Sequence, residues 1–273
     1  MIAKPPKILY IYQFEGKIPY YSSFSHPDLL GIWQEEQEVF VFFKKDNESF
    51  VKNFKKVYPD LNLKQKFEVD YASWHGGEIR PVSFEDFTIV PIWLWNGEES
   101  DNFIVFDPSV VFGTPNHTTT LNCIKAIKKV FEKDKIDTVL DMGSGTGILG
   151  AVAYKLGAHR VISFDINYLA AKITLKNFKL NRFKNYIVFQ ARAEDFYQIK
   201  ADLVLANLPF FVIKSFIDKE NFWINKKWVI ISGLFPSQKE ILFDLIFRCA
   251  FKEKISLVDS FKEDWPTFTF KVL

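Results

Sequence analysis

A chain of 273 residues that is 48% hydrophobic can fill a large core and carry an appendage, which excludes a disordered polypeptide. The 35 Lys and Arg against 33 Asp and Glu leave a formal charge of +2, which excludes a global polycation of the kind that by itself marks nucleic-acid binding. The two cysteines, Cys123 and Cys249, stand in no metal-ligand spacing, so neither a disulfide framework nor a metal site is expected.

No apolar run approaches the roughly 18 residues a membrane span needs, and no charged, apolar leader opens the chain. A soluble, cytoplasmic protein without membrane contact is expected. Residues 8–12 are β-rich. Ile32-Trp33 and residues 39–43 read as a hairpin around the polar Gln34-Glu35-Glu36-Gln37, and Phe50, Val51, Phe54 and Val57 recur at helical spacing. Residues 67–71 alternate as a strand. Together, residues 1–71 form a small α+β domain.

Residues 72–100 change character, with Trp74, Pro81, Pro91, Trp93 and Trp95 punctuating short β-like pieces, and read as a connector. The third unit, residues 101–273, alternates helix and strand from Thr120 onward. Leu121, Ile124, Ile127, Val130 and Phe131 line a helix, and strands are expected at 138–140, 161–164, 186–189, 203–206 and 229–232. Such alternation predicts an α/β Rossmann-like domain, a mostly parallel sheet with helices on both faces and ligands outside the strands' carboxyl ends.

Asp141-Met142-Gly143-Ser144-Gly145-Thr146-Gly147 follows the first of these strands and precedes a helix. Glycines let the backbone turn tightly and approach a ligand, while a helix N-terminus offers unpaired N–H groups. In isolation the motif reads as an ordinary tight turn. Asp165 ends the next strand, where a carboxylate can accept hydrogen bonds from ribose hydroxyls, and Ile166 adjoins it. An Asp ahead of the first glycine and the Gly-x-Gly-x-Gly spacing favour S-adenosylmethionine over a nicotinamide dinucleotide, the competing cofactor. Ala193, after the third strand, stands either at the adenine or in a solvated helix N-terminus.

Asn207-Leu208-Pro209-Phe210 ends the strand at 203–206 and matches the Asn-x-Pro-aromatic pattern of amino-group methyltransferases. The Asn carboxamide oxygen and the next backbone carbonyl can accept hydrogen bonds from an amine and aim its lone pair at a sulfonium methyl. Phe210 offers a ring to a planar substrate. Asn-x-Pro is also a plain strand terminator, but the glycine loop upstream favours the chemical reading.

Asp107, Pro108, Phe112, Gly113, Thr114, His117, Thr119 and Thr120, set ahead of the glycine loop, resemble the PrmA family, the methyltransferases of large-subunit ribosomal protein eleven. The resemblance extends upstream through Trp74, Pro81, Pro91 and Trp93 and downstream through Ile231-Ser232-Gly233-Leu234, Gln238 and Trp265. It implies a class I methyltransferase domain in which Phe112, Gly113, Thr114, His117, Thr119 and Thr120 join Asp141, Gly143, Ser144, Gly145, Gly147, Asp165, Ile166, Ala193 and Asn207 around S-adenosylmethionine. Asn207, Leu208, Pro209 and Phe210 then form the catalytic end.

The resemblance also implies a ferredoxin-like substrate-recognition domain in front. Here it is shortened, with its first helix reduced to residues 26–30. The expected reaction is N-methylation of a lysine ε-amine or an N-terminal amine, on a ribosomal protein. Two departures stand out. Pro115 replaces a glycine, and Asn207-Leu208-Pro209-Phe210 replaces an Asn-Ile-Leu-Ala type of sequence. The second departure points toward planar amines, so methylation of a glutamine amide or of an RNA or DNA base is the enzymatic alternative. Lys172, Lys176, Lys179, Arg182 and Lys184 supply that alternative with a basic face. A cofactor-binding scaffold without transfer is the non-enzymatic one.

Overall fold

The computed structural model describes residues 4–19, 25–97, 102–261 and 264–273. The expected domain edge at residues 100 and 101 lies outside the described residues. Strands β1 (Ile8–Glu15), β2 (Leu29–Glu35) and β3 (Glu38–Phe43), helix α1 (Glu48–Val57) and strand β4 (Asn62–Asp70) form an antiparallel sheet in the order β2-β3-β1-β4, the ferredoxin-like order.

The pleat sends alternate residues to opposite faces. Tyr12, Phe14, Val39, Val41 and Phe43 pack against Phe50, Val51 and Phe54 of α1. Leu9, Ile11 and Phe42, on the other face, enter the core of the remaining chain. α1 is fixed at its start by Asn47, whose side chain accepts the Phe50 N–H, and carries Lys55 and Lys56 in its last turn.

The helix expected at residues 26–30 is not formed. Leu29 and Leu30 instead open β2, after a turn in which His26 Nδ1 accepts the Asp28 N–H. Five residues containing Pro27 cannot meet the cost of helix nucleation, whereas pairing with β3 satisfies the backbone at once. The hairpin turn is also tighter than the four polar residues suggest, because Glu35 already pairs with Glu38.

β4 runs into a single turn of helix, α2 (Tyr71–Trp74). Strands β5 (Val82–Ser83), β6 (Thr88–Pro91) and β7 (Phe103–Phe106) then make a three-stranded sheet in which β6 and β7 are parallel.

The rest alternates: α3 (Thr118–Lys133), β8 (Thr138–Met142), α4 (Ile148–Lys155), β9 (Arg160–Asp165), α5 (Tyr168–Leu180), β10 (Tyr186–Gln190), α6 (Ala193–Phe196) and β11 (Leu203–Asn207). α7 (Phe210–Ile213), α8 (Glu220–Trp223), β12 (Trp228–Ser232), α9 (Lys239–Arg248), β13 (Ile255–Phe261) and β14 (Thr267–Val272) complete it. The sheet order is β10-β9-β8-β11-β12-β14-β13, parallel from β10 to β12, with β14 antiparallel to both its neighbours.

Val139, Val161, Leu203, Leu205 and Ile230 face one core, shared with α3, α4 and α5. Leu140, Ile162, Val204, Val229 and Ile231 face the other, under α7, α8 and α9. Burial on both faces explains the unbroken apolar runs of these strands. The strand order reverses between β8 and β11, which opens a crevice at their carboxyl ends. Cys123 and Cys249 are free and buried, and among the described residues no helix is long and apolar enough to cross a membrane.

Candidate active site

The loop after β8 adopts φ values of 71° at Gly143, 55° at Gly145 and 78° at Gly147, a region that side chains disfavour. Its amides are all used within the protein. Gly143 and Ser144 donate to Phe164 O, Gly145 to Asp165 Oδ2, Thr146 to Phe112 O and Gly147 to Ser144 O. The free N–H cradle expected from the sequence is therefore not what this loop presents. Its glycines serve close packing: an added Cβ would meet Leu208 Cδ2 at 2.2 Å from Gly143, Phe112 O at 2.3 Å from Gly145 and Thr174 Cγ2 at 2.8 Å from Gly147.

Asp141 and Ser144 sit behind the loop. Asp141 is buried and accepts the Gly150 N–H at 3.2 Å, so it caps the first turn of α4. Burial pushes its carboxyl up to about 7. Ser144 Oγ bonds Thr174 Oγ1 at 2.9 Å.

Asp165 closes β9 at the crevice. Its Oδ2 accepts the Gly145 N–H and its Oδ1 the Asn167 N–H, both at 2.9 Å, and burial raises its pKa. Each carboxylate oxygen keeps a further lone pair for a ligand hydroxyl. Ile166 is 62% exposed beside it. Ala193 opens α6 with its side chain in the core.

The segment ahead of α3 is locked onto the glycine loop. Thr146 Oγ1 donates to Gly113 O at 2.5 Å, in addition to the Thr146 N–H bond to Phe112 O at 2.9 Å. The sequence reading passes over Thr146 as a spacer. Thr174 and Asn177 on α5, and Asn181 at its C-terminal end, stand at helical spacing and hold the adjoining pieces together. Thr174 Oγ1 donates to Gly145 O at 3.0 Å, and Asn177 Nδ2 to Thr146 O at 2.8 Å and Asp107 O at 3.0 Å. Asn181 bonds both backbone groups of Val105. The available signal was a polar stripe on an otherwise apolar helix face, where burial demands partners.

Phe112 is half exposed and stacks on His117, with centroids 4.5 Å apart. His117 is the N-cap residue just ahead of α3, and its ring makes no capping bond. The first turn of α3 carries Thr119 and Thr120 inward. Thr114 Oγ1 and Thr120 Oγ1 are buried with no hydrogen-bond partner among the described residues. A buried hydroxyl left unpaired costs about 1–3 kcal/mol, so this pair fits a place that a polar ligand completes.

Asn207 closes β11 opposite Ser232 of β12, and its Nδ2 donates to Thr119 Oγ1 at 3.3 Å. Its Oδ1 is left as the acceptor. The backbone after it is held from two sides. Leu208 N–H donates to Ser232 O, and Gly233, at φ 85°, passes so close that a Cβ would lie 2.5 Å from Leu208 O. Pro209 precedes α7, in which Phe210 and Ile213 share the inward face and are buried. Phe211 is the ring offered to solvent, 75% exposed, whereas Phe210, the ring expected to meet a planar substrate, is buried.

A cavity of about 610 Å³ lies elsewhere, between β2 and α5, lined by Leu29, Gly31, Ile32, Asn167, Lys172 and Lys176 among others. It contains none of the residues assigned to the cofactor or the amine. Lys176 is paired with Asp107 at 2.5 Å, which uses part of the charge on the basic face. Among the described residues there is no cluster of three or more metal-ligating side chains.

Residues 14–272 match the family model of ribosomal protein L11 methyltransferase (PrmA). A protein of that name from Anoxybacillus flavithermus is 35% identical over 216 residues, which are 77% of this chain and 68% of that protein. Another from Clostridium perfringens is 31% identical over 195 residues, 70% of this chain and 62% of that protein. The chain thus spans about two thirds or less of the length of these relatives. The crystal structure of a ribosomal protein L11 methylase from Lactobacillus delbrueckii subsp. bulgaricus shares the fold, with a TM-score of 0.60 at 22% identity over 71% of this chain and 98% of that one. With strands, loops and family pattern in agreement over most of its length, the chain belongs to the ribosomal protein L11 methyltransferase (PrmA) family, whose members are methyltransferases.

Proposed function

We propose that this chain transfers a methyl group from S-adenosylmethionine to an amine of a large-subunit ribosomal protein, either a lysine ε-amine or the N-terminal amine. The observation that carries the reading is the position of Asn207. It stands at the strand-order reversal, one hydrogen bond from Thr119 and next to a turn in which Thr120 Oγ1 has no partner among the described residues. The family relatives are named for ribosomal protein L11.

When bound, S-adenosylmethionine supplies an electrophilic methyl on a sulfonium. Asp165 would accept from its ribose, Ile166 would cover the adenine, and Thr114 and Thr120 would bond its amino-acid end. Phe112 and Gly113 would close over that end, and Leu208 would pack between it and Gly143. Asn207 Oδ1 and the Leu208 carbonyl accept hydrogen bonds from the substrate amine and aim its lone pair, which replaces a chance encounter by a fixed approach. Both acceptors are uncharged. They favour the neutral, nucleophilic amine over the ammonium that a carboxylate would stabilise.

Residues 1–71 would select the protein substrate, residues 72–100 would connect, and residues 101–273 would carry the chemistry. A ribosomal substrate would place the enzyme in the cytoplasm. The test is incubation with methyl-labelled S-adenosylmethionine and separated ribosomal proteins and RNA. Label in a large-subunit protein supports the reading. Label in RNA moves it to base methylation, and cofactor binding without label in either fraction makes the chain a scaffold.

A further inference from the structure

Three side chains from one helical turn hold two consecutive carbonyls of the segment leading into the active site. The Tyr71 hydroxyl donates to Ser109 O at 2.8 Å, His75 Nε2 lies 3.1 Å from the same oxygen, and Trp74 Nε1 donates to Val110 O at 3.0 Å. A carbonyl only accepts, so the His75 proton sits on Nε2. Ser109 has a φ of 47°, a left-handed conformation that a side-chained residue holds only where its surroundings impose it.

The residues after α2 grip the far end of the segment. Asn116 Nδ2 donates to Gly77 O at 2.9 Å, and a Cβ on Gly76 would lie 3.4 Å from the His117 ring. Between the two holds lie Phe112, Gly113 and Thr114. The turn is itself anchored in the N-terminal sheet: Asp70 caps it by accepting the Ser73 N–H at 2.7 Å, and the Tyr71 N–H donates to Lys7 O at 3.0 Å.

We propose that Tyr71, Trp74 and His75 are positioning residues that pre-form residues 109–114 over the transfer site and so couple that site to the N-terminal sheet. The proposal rests on the reading of Phe112, Gly113 and Thr114 as part of the cofactor site. The three residues act through Ser109 and Val110 and are not catalytic. Any shift of β4 carries all three donors with it, so a substrate docked on the N-terminal sheet acts on the same segment that covers the cofactor. Deleting both donors to Ser109 O, or the single Trp74 donor to Val110 O, leaves a buried carbonyl unpaired and loosens the hold on the segment.

The test uses the full chain. Tyr71→Phe combined with His75→Leu removes both donors to Ser109 O, His75→Gln returns an amide donor, and Trp74→Phe keeps a ring without its N–H. Amide exchange in the cofactor-free protein reads the segment directly through the Thr146 N–H, which is bonded to Phe112 O. We expect this amide to exchange roughly tenfold faster in the double variant and in Trp74→Phe, and at close to the wild-type rate in His75→Gln. Amides of β8 and β11 should keep their protection.

Affinity for S-adenosylmethionine should weaken about tenfold and kcat at saturating cofactor should fall, with KM for the protein substrate within about twofold. Wild-type exchange at Thr146 in the folded double variant overturns the proposal. If the double variant does not fold, Trp74→Phe decides by the same amide. Failure of the wild-type chain to bind S-adenosylmethionine would overturn the site reading instead, and the Thr146 amide would still decide whether the turn positions the segment.

Discussion

A Cβ placed on Gly145 would lie 2.3 Å from the carbonyl oxygen of Phe112. The segment before α3 and the loop after β8 therefore meet with no room for a side-chain atom between them. What reads in sequence as a glycine cradle for a ligand is, in space, a seam between two pieces of protein. Under the proposed function, the groups that would meet the ligand are side chains around the seam, Thr114, Thr120 and Asp165.

Gly145→Ala should accordingly cost more than backbone strain alone. Gly157, at φ 109°, has nothing within 4 Å of an added Cβ, so Gly157→Ala measures the strain by itself, about 1–2 kcal/mol. Gly145→Ala adds the collision and is expected to cost about 2–4 kcal/mol and to abolish cofactor binding. Denaturant titration compares the two. Equal losses would show that the Phe112 segment yields freely.

Asn207→Ala should separate transfer from cofactor binding. If Asn207 Oδ1 orients the amine in the transition state, kcat falls roughly a hundredfold while the affinity for S-adenosylmethionine stays within about twofold. Thr119→Val, which releases the Asn207 amide from its hydroxyl partner, should lower kcat about tenfold. Stopped assays at saturating cofactor with calorimetry in parallel provide both numbers. A matching loss of affinity would assign Asn207 to the cofactor alone.

The parallel strands were legible because burial on both faces writes continuous apolar runs such as Leu203-Val204-Leu205-Ala206, and chemistry at their ends follows from position. Asp165 and Asn207 could thus be placed at strand ends without coordinates. β13 could not, because Leu257 and Val258 are exposed and the alternation fails there. β14, inserted between β12 and β13, is fixed by tertiary pairing rather than by local pattern. α2 is four residues long, too short for a 3.6 period to register. Residue type alone could not tell Phe210 from Phe211, because the register of α7 decides which of the two turns inward. Thr146 carries no local signal, since its partners Phe112, Gly113 and Asn177 are distant in sequence.

Asp141 gives the fold a pH dependence of definite sign. Burial moves its carboxyl from 3.8 to about 7, so the folded chain holds that proton more tightly than the unfolded one. Between about pH 4 and 7 the folded state binds more protons, and stability falls as pH rises through that window. Asp141→Asn keeps an acceptor for the Gly150 N–H without the charge. The variant should match wild type near pH 4 and exceed it by about 1–3 kcal/mol at pH 8. Melting curves across this range test it, and curves that stay parallel would mean that the buried carboxylate ionises without penalty.

A chain beginning at Asn102 would keep every residue assigned to the cofactor and the amine, yet the packing gives them no support there. Leu9, Ile11, Phe42, Tyr71, Ile79 and Ile89 share one core with α3, α4 and α5, and their loss would strip apolar surface from those helices. β7 would lose β6, its parallel neighbour, and Ser109 and Val110 would lose the donors of Tyr71, Trp74 and His75. The truncated chain is expected to aggregate or to melt without cooperativity, and to bind no cofactor. A chain beginning at Asp70 keeps α2, β5 and β6 and loses the β1–β4 sheet with α1. It should melt cooperatively at a lower temperature, retain most of its affinity for S-adenosylmethionine and lose transfer to a protein substrate. Calorimetric melts must precede the binding titrations, since only a folded truncation is informative. A cooperative melt near the wild-type temperature with intact cofactor binding in the chain from Asn102 would show that the segment ahead of α3 holds its shape without the turn that grips it.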